Sequence, residues 1–103
     1  MSTTVKVFDH DPNAVLDYRW NWNCDDGCAW LDEGETITAF TITTPTGITN
    51  INGGAHPNSE LDGIVTAWIT GGTVGQRYQI INHITTSAGR EEDRTIELRV
   101  VQR

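Results

Sequence analysis

The sequence predicts an all-β fold, a Greek-key β-sandwich of about seven or eight short antiparallel strands in one domain spanning residues 1–103. Three observations carry this prediction. Apolar and polar residues alternate over short runs, which is the period of a half-buried strand. The apolar set is rich in Ile, Val, Trp and Tyr and stands among many Thr, a composition that favours strands over helices. Ten glycines read as turns between the runs.

The first strand is predicted from Thr4 to Phe8, where Val5 and Val7 alternate with polar residues. A turn follows it at Asp9 to Asn13, because Asp-Pro and Asn favour turn initiation. The Asp-His-Asp triplet within this turn resembles a metal site only in composition. Three adjacent residues of an extended chain do not converge on one ion, so we expect no metal there.

The chain is organised around the next segment, LDYRWNWNCDDGCAWL from Leu16 to Leu31, which holds three of the four tryptophans and both cysteines. Its first half alternates as a strand, predicted from Ala14 to Trp22, whose aromatic face anchors the core. An acidic loop follows, and Ala29 to Glu33 is predicted to make one helical turn that Gly34 ends. Residues of this segment and two later aromatic residues make the predicted structural core: Leu16, Tyr18, Trp20, Trp22, Trp30, Leu31, Trp68 and Tyr78.

The middle of the chain alternates between strands and loops. Glu35 to Thr43 carries apolar groups on both faces, so this strand is expected to lie centrally or to switch sheets. Ile48 to Ile51 is a short strand, Gly53 to Glu60 is the most loop-like segment, and Leu61 to Thr70 resumes strand character.

The last third predicts a hairpin of two long strands. Tyr78 to Thr86 begins three residues after a glycine, the pattern of a tyrosine corner, in which the phenol bonds nearby backbone and pins one end of a sandwich. Ser87 to Arg90 makes the turn, with Gly89 able to take positive φ. Glu91 to Val101 closes the chain, with Ile96, Leu98 and Val100 inward.

The net charge of −7 makes nucleic acid an unsuitable partner, because phosphate binding requires clustered Lys and Arg, and this chain has one lysine and six dispersed arginines. No apolar run approaches the roughly 20 residues of a membrane helix. The N-terminus lacks the apolar core of a signal peptide, so we expect a protein that does not cross a membrane by that route.

Cys24 and Cys28 admit three interpretations. Two free thiols fit a chain without a signal peptide, and a local disulfide across Gly27 competes with them. Zinc is disfavoured, because a structural site needs four ligands and no second cysteine pair or His-x3-5-His partner exists.

Catalytic patterns are missing from the sequence: it has no Gly-x-Ser-x-Gly, no phosphate-binding glycine loop and no His-Glu-x-x-His. His83 lies within a strand, where a hydrogen-bonded, sheet-packed histidine is expected instead of a general base. Asp25, Asp26, Asp32 and Glu33 offer oxygens to Ca²⁺ but lack the ligand spacing of a known calcium loop. The sequence therefore predicts neither an enzyme nor a cofactor site.

A family resemblance extends from Asp11 to Val100. DPNAVLDYRW (11–20), WLDEGETI (30–37), WITGGTVGQRY (68–78), TTSAGR (85–90) and Arg94-Thr95-Ile96 share the order and spacing of their Gly, Trp and Tyr positions with a known pattern. The chain resembles the small proteins of tailed bacteriophages described as phage fibre-tail adaptor or head-tail region virion proteins. It departs from them at Asn23 to Cys28, which looks like a short insertion.

The resemblance implies an immunoglobulin-like sandwich that serves, in several copies, as a non-enzymatic structural adaptor or decoration subunit of the virion, in the capsid, neck or tail-fibre attachment region. The expected partners are other virion proteins, and the expected site of assembly is the host cytoplasm. The alternative is a carbohydrate-binding or host-adhesion module that stacks sugars on Trp22 or Trp30 beside Asp25 and Asp26.

Partner contacts are expected in two loops at the sandwich ends, Asn23 to Cys28 and Gly53 to Glu60, or along an exposed edge strand that adds to a neighbour's sheet. The residues that we expect at these contacts are Asn23, Cys24, Asp25, Asp26, Cys28, His56 and Asn58.

Overall fold

The computed structural model describes residues 6–22 and 31–102, and every regular element in these ranges is a strand. The strands are β1 (Lys6–His10), β2 (Val15–Asn21), β3 (Ile37–Thr43), β4 (Ile48–Asn50), β5 (Ser59–Leu61), β6 (Ile64–Gly71), β7 (Arg77–Thr86) and β8 (Glu91–Val100). The described part of the chain contains no helix long and apolar enough to cross a membrane.

The strands form two sheets that pack face to face. The first sheet has the order β1-β8-β7-β3, and the second has the order β2-β6-β4, with β5 pairing β6 as well. Taken in chain order, β3-β7-β8 and β2-β6-β4 correspond to the C-F-G and B-E-D strands of an immunoglobulin-type sandwich. The predicted all-β class is confirmed, and the arrangement is consistent with an immunoglobulin-like sandwich.

One strand pair is parallel. β1 runs beside β8 in the same direction, from Lys6 opposite Ile96 to His10 opposite Val100. The N–H of Val101 donates to the carbonyl of His10 at 2.9 Å and extends the ladder by one bond. The other pairs are antiparallel, as predicted.

The core fills the space between the sheets. β2 and β6 contribute alternate residues in unbroken register, so that Tyr18 and Trp20 meet Val65, Ala67 and Ile69 on the inner face. The facing sheet contributes inward residues of β7 and β8, which are Tyr78, Ile80, Ile84, Ile96, Leu98 and Val100.

Two residues that we expected in this core lie outside it. Leu16 follows the inward alternation of β2 but lies at the edge of the sandwich, where 43% of its surface remains exposed. Trp68 belongs to the opposite face of β6 from Val65 and Ala67, so it lies on the outside of the second sheet, half-buried. Trp30 lies outside the described residues.

β3 is an edge strand, so the expectation of a central or sheet-switching strand is wrong. Its register with β7 shifts between Ile37 and Ala39. A bulge of this kind places two residues opposite one and reverses the alternation. Ile37 therefore shares the inner side with Phe40 and Ile42, and the apolar residues that divide between two faces in the sequence pack on one core.

The predicted strand Leu61 to Thr70 is two strands joined by a tight turn. Asp62 and Gly63 have φ of 52° and 82° and connect β5 to β6. Positive φ at both central residues is the geometry of a type I′ hairpin, for which Asp-Gly is a preferred sequence.

The helical turn predicted from Ala29 to Glu33 is not found in its described part. There, Asp32 to Glu35 forms a turn closed by a 2.9 Å hydrogen bond from the Glu35 N–H to the Asp32 carbonyl.

Candidate interaction surfaces

The loop between β6 and β7 is held by Tyr78. Its hydroxyl accepts a hydrogen bond from the N–H of Thr73 at 2.9 Å, as the predicted tyrosine corner requires. Gly72 approaches the same ring with φ of 97°, and a Cβ there would lie 2.6 Å from Val100 Cγ2. The Gly-Gly-Thr-x-Gly-x-x-Tyr spacing is therefore explained by packing at this end of the sandwich.

A second cluster fixes the opposite end, where the β7–β8 hairpin meets the start of β3. Glu35, whose side chain is 3% exposed, accepts two bonds from the guanidinium of Arg90 and one from the hydroxyl of Thr86. The Ser87 N–H adds a 2.8 Å bond to the carbonyl of Thr36. These hydrogen bonds join two segments that are far apart in the sequence, Gly-Glu-Thr-Ile at the start of β3 and Thr-Thr-x-x-Gly-Arg at the β7–β8 hairpin.

The charge of Glu35 is stabilised by this cluster. Hydrogen bonds from Arg90, then from Thr86 and from the backbone of Asp32, lower the pKa of Glu35 to about 2. The carboxylate is thus ionised across the physiological range and acts as a permanent structural anion, unlike the proton-exchanging carboxyl of a general acid or base.

Trp22 is a core residue and offers no surface to a sugar. It is 0% exposed, its Nε1–H donates to Asn82 Oδ1 at 2.8 Å, and the guanidinium of Arg94 lies 4.3 Å from its ring centre. Burial lowers the pKa of Arg94. The expectation of a stacking platform at Trp22 is therefore wrong. Trp30, Asp25 and Asp26, the other parts of that hypothesis, lie outside the described residues.

The loop from residue 51 to residue 58 has a defined shape. Asn50 and Asn58 exchange two amide hydrogen bonds of 2.8 and 2.9 Å, and the N–H of Asn58 also donates to Asn52 Oδ1. The ring of His56 packs on Trp68 with 4.2 Å between ring centres. His56 and Asn58, two of the expected contact residues, thus have side chains that hold the loop itself.

The Asp-His-Asp triplet does not converge. The His10 side chain points into the core, is 0% exposed and hydrogen-bonds the Tyr18 hydroxyl through Nδ1 at 2.7 Å. Asp9 lies on the outer face and binds Arg99, while Asp11 accepts the Asn13 N–H. Burial lowers the pKa of His10, opposed by the charge of Asp11.

His83 lies on the outer face of the first sheet, hydrogen-bonded as expected but half-exposed. Its Nδ1 is 2.5 Å from Asp93 Oδ1, and its Nε2 is 3.0 Å from Glu91 Oε1. Hydrogen bonds to Asp93 and then Glu91 raise the pKa of His83. Both ring nitrogens are occupied, so the residue joins two strand positions and offers no free nitrogen to a substrate.

Carboxylates gather at the end of the sandwich that holds Glu35, which we call the acidic end. Its members are Asp32 and Glu35, which lie beside Arg90, and Glu60 and Asp62, which share a depression with Glu35. A depression of about 450 Å³ opens among Leu31, Glu35, Thr36, Glu60, Asp62 and Gly63. In residues 6–22 and 31–102, no group of three or more His, Cys, Asp or Glu side chains is arranged so that it could hold a metal ion. Cys24, Cys28 and the loop from Asn23 to Cys28 lie outside those ranges.

The described residues thus form a sandwich closed by a tyrosine corner at one end and a Glu–Arg pair at the other, built from the segments that carry the family resemblance. A comparison with curated proteins found no matching sequence. A comparison with protein families found one whose model, described as "Podophage GP4 fiber-tail adaptor protein gp77", matches residues 10–99. Because the match covers nearly the whole sandwich, the chain belongs to this family of podophage fibre-tail adaptor proteins.

Proposed function

We propose that this protein is a non-enzymatic adaptor subunit, present in several copies, that joins fibres to the tail of a podophage virion. The match to the fibre-tail adaptor family over residues 10–99 is the observation that carries this proposal. A fibre-tail adaptor is a structural component of the particle, so the fibre-attachment region is favoured here over a decoration role on the capsid or at the neck.

The described side chains support a structural role. The ionisable groups with shifted pKa values have hydrogen-bond partners within the fold: Glu35 binds Arg90, His10 binds Tyr18, and His83 binds Asp93 and Glu91. Strongly perturbed groups mark a catalytic site when they line a cleft and face substrate. Here Glu35 borders the depression described above, but its oxygens accept hydrogen bonds from Arg90, Thr86 and the backbone of Asp32, and the two histidines are not among the residues that line it. These groups join one part of the sandwich to another.

The loop from residue 51 to residue 58 is the contact surface that we favour. Its amide pair and the His56–Trp68 stack hold its shape before any partner binds, which reduces the entropy lost on association. We propose that His56 and Asn58 shape this surface, while exposed neighbours such as Ala55 and Pro57 touch the partner. The loop from Asn23 to Cys28, with Cys24, Asp25 and Asp26, is the second proposed contact.

The test is to disrupt the gene for this chain in a phage that carries it. We expect the particles to carry heads and tails without fibres, and adsorption to return when purified protein and fibres are added. Mass spectrometry of intact virions measures the copy number. Virions that lack the chain, or that retain fibres after disruption, would contradict the proposal.

A matched pair of variants tests the loop. Ala55→Arg adds a bulky charge at its exposed tip, and Ala88→Arg adds the same group at the exposed tip of the β7–β8 hairpin. We expect Ala55→Arg to reduce fibre attachment and Ala88→Arg to leave it unchanged. Equal effects from the two variants would place the contact elsewhere.

A further inference from the structure

The strand edges of the sandwich are not equally protected. β4 and β5 have three residues each, β3 carries a bulge, and β1 has five residues. β2 pairs along its seven residues with β6 in unbroken register, and no other strand of residues 6–22 and 31–102 pairs with its second side. Short length and bulges protect edges from pairing with another chain, and β2 has neither.

The backbone groups that β2 turns outward follow from one hydrogen bond. The Trp22 N–H donates to the Gly63 carbonyl at 2.9 Å, in line with the β2–β6 register. Backbone direction alternates along a strand, so the even-numbered residues of β2 bond to β6. Val15, Asp17, Arg19 and Asn21 therefore turn their N–H and C=O groups to the open edge.

One end of this edge is already occupied. Arg94 reaches across from β8 and donates to the Asn21 carbonyl at 3.1 Å. The outward groups of Asp17 and Arg19 have no such partner in the described part of the chain. The outward backbone groups of Asp17 and Arg19 thus lie on either side of Tyr18, and Asp17 carries a negative side chain where Arg19 carries a positive one.

The edge is also bordered by apolar surface. Val15 and Leu16 are each 43% exposed, and Phe8 of the adjacent β1 is exposed beside Tyr18, with 5.4 Å between the two ring centres. An added strand would cover this surface as well as satisfy the backbone.

We propose that β2 pairs antiparallel with β2 of a second copy, about a twofold axis at Tyr18. The outward N–H and C=O groups belong to every second residue of β2. They face each other across the contact only if the twofold axis passes through a residue, not between two residues. Centring on Asp17 or on Arg19 would place like charges directly opposite each other, which destabilises a sheet. Centring on Tyr18 places Asp17 of each copy opposite Arg19 of the other.

This register also buries the exposed apolar residues. Leu16 comes opposite Trp20 of the second copy on the inner face, and Val15 comes opposite Asn21 on the outer face. Within one chain, Arg19 Nε already lies 3.4 Å from Asp17 Oδ2, so the dimer contains a square of alternating charges. The contact is isologous, and it joins two four-stranded sheets into one continuous sheet.

The inference rests on the proposed multicopy role, since a subunit present once would meet no second chain. Its test uses the purified chain and so can fail separately: a chain found in several copies per virion but monomeric in solution would leave the function standing and overturn the β2 contact. A one-strand contact is small, so we expect association in the micromolar range or weaker.

Sedimentation equilibrium from about 10 µM to about 1 mM covers that range of affinity. We expect Asp17→Arg and Arg19→Asp each to weaken self-association at least about tenfold, because both cross-strand pairs become repulsive. The double swap D17R/R19D restores it. Mixing the two single variants also restores it, since the mixed pair again sets opposite charges face to face.

Glu33→Arg, which makes the same charge change as Asp17→Arg at an exposed site outside β2, is the control and should associate as the parent does. Circular dichroism of each variant confirms that it folds. Recovery in the mixture also excludes a folding defect as the cause of lost association. A parent chain that stays monomeric at the highest concentration, or single variants that associate unchanged, would overturn the proposal.

Discussion

Asn82 is the most informative position for testing the core. It lies within β7, 0% exposed, and its amide serves both sheets: Oδ1 accepts the Trp22 Nε1–H at 2.8 Å, and Nδ2 donates to the Thr41 carbonyl at 3.2 Å. Asn82→Leu keeps the branch at Cγ, enlarges the side chain and removes both bonds. Its effect therefore measures what the buried amide contributes.

The magnitude follows from the buried indole N–H of Trp22, which loses its amide acceptor, and from the larger volume of leucine; the Thr41 carbonyl adds little, because Thr41 is an exposed residue of the edge strand β3. The lost indole hydrogen bond costs about 1–3 kcal/mol, and overpacking of the site costs about 1–3 kcal/mol. The greater apolar burial of leucine offsets about 1–2 kcal/mol of that cost. We therefore expect Asn82→Leu to lower the free energy of unfolding by about 2–4 kcal/mol, a large share of the stability of a small domain.

A double-mutant cycle with Trp22→Phe isolates the indole–amide bond. Phenylalanine has no N–H to leave unpaired, so Asn82→Leu should cost about 1–3 kcal/mol less in that background. Urea unfolding followed by far-UV circular dichroism measures all four chains. Strict additivity, within about 0.5 kcal/mol, would refute the reasoning that this bond couples the sheets.

Three further predictions concern single positions. Gly72→Ala should destabilise the fold by about 1–3 kcal/mol more than Gly75→Ala, because both glycines have positive φ but only Gly72 lacks room for a Cβ; thermal melting compares them, and equal losses would contradict the packing argument. Glu35→Gln should lower the urea midpoint at pH 7 and flatten its dependence on acid, because a carboxyl whose pKa falls from 4.5 to about 2 on folding stabilises the protein above pH 4.5 and loses that contribution as the pH falls towards 2. The histidines should act in opposite senses. His10, with a lowered pKa, destabilises the fold as the pH falls below 6.5, whereas the contribution of His83, with a raised pKa, is complete below 6.5 and is lost as the pH rises through its folded-state pKa. Urea midpoints of the parent, His10→Gln and His83→Gln across this range show how each substitution changes the slope of stability against pH. If the two substitutions changed that slope in the same direction, the assignment would be contradicted.

Local alternation predicted the inward sides of β2 and β8, because side-chain direction alternates between adjacent residues of a strand. Alternation did not predict how much of each side chain is exposed, because exposure depends on which other parts of the fold cover that side chain. Leu16 points inward like Tyr18, yet the strand position at the edge of the sandwich leaves it open. Trp68 shows the converse, since a loop ring covers an outward residue.

Two errors in the predicted strands have local causes. The Asp62-Gly63 pair is a strong hairpin signal that the apolar run after it concealed, and it would have separated β5 from β6. The bulge in β3 explains why apolar residues occupied both faces of one predicted strand. When the apolar residues of a predicted strand change from one face to the other partway along it, a bulge explains the pattern as readily as a central strand does.

The Glu35–Arg90 pair was beyond local reasoning, because 55 residues separate its members and neither has a distinctive neighbour. Both residues belong to segments of the family pattern, and their side chains meet only when β3 and the β7–β8 hairpin come together. The sequence predicts His56 and Asn58 as contact residues because they lie in a loop, and in the structure both side chains hold the shape of that loop.

The parallel pairing of β1 and β8 has a mechanical consequence for a subunit that links a fibre to a tail. A pull applied at the start of β1 and at the end of β8 draws the two strands along each other, so the force acts on the ladder from Lys6 to His10 in shear. In that geometry the hydrogen bonds share the load and must yield together, whereas a hairpin pulled from its open end yields one bond at a time. A load applied between those two points would therefore meet the sandwich in its most resistant direction.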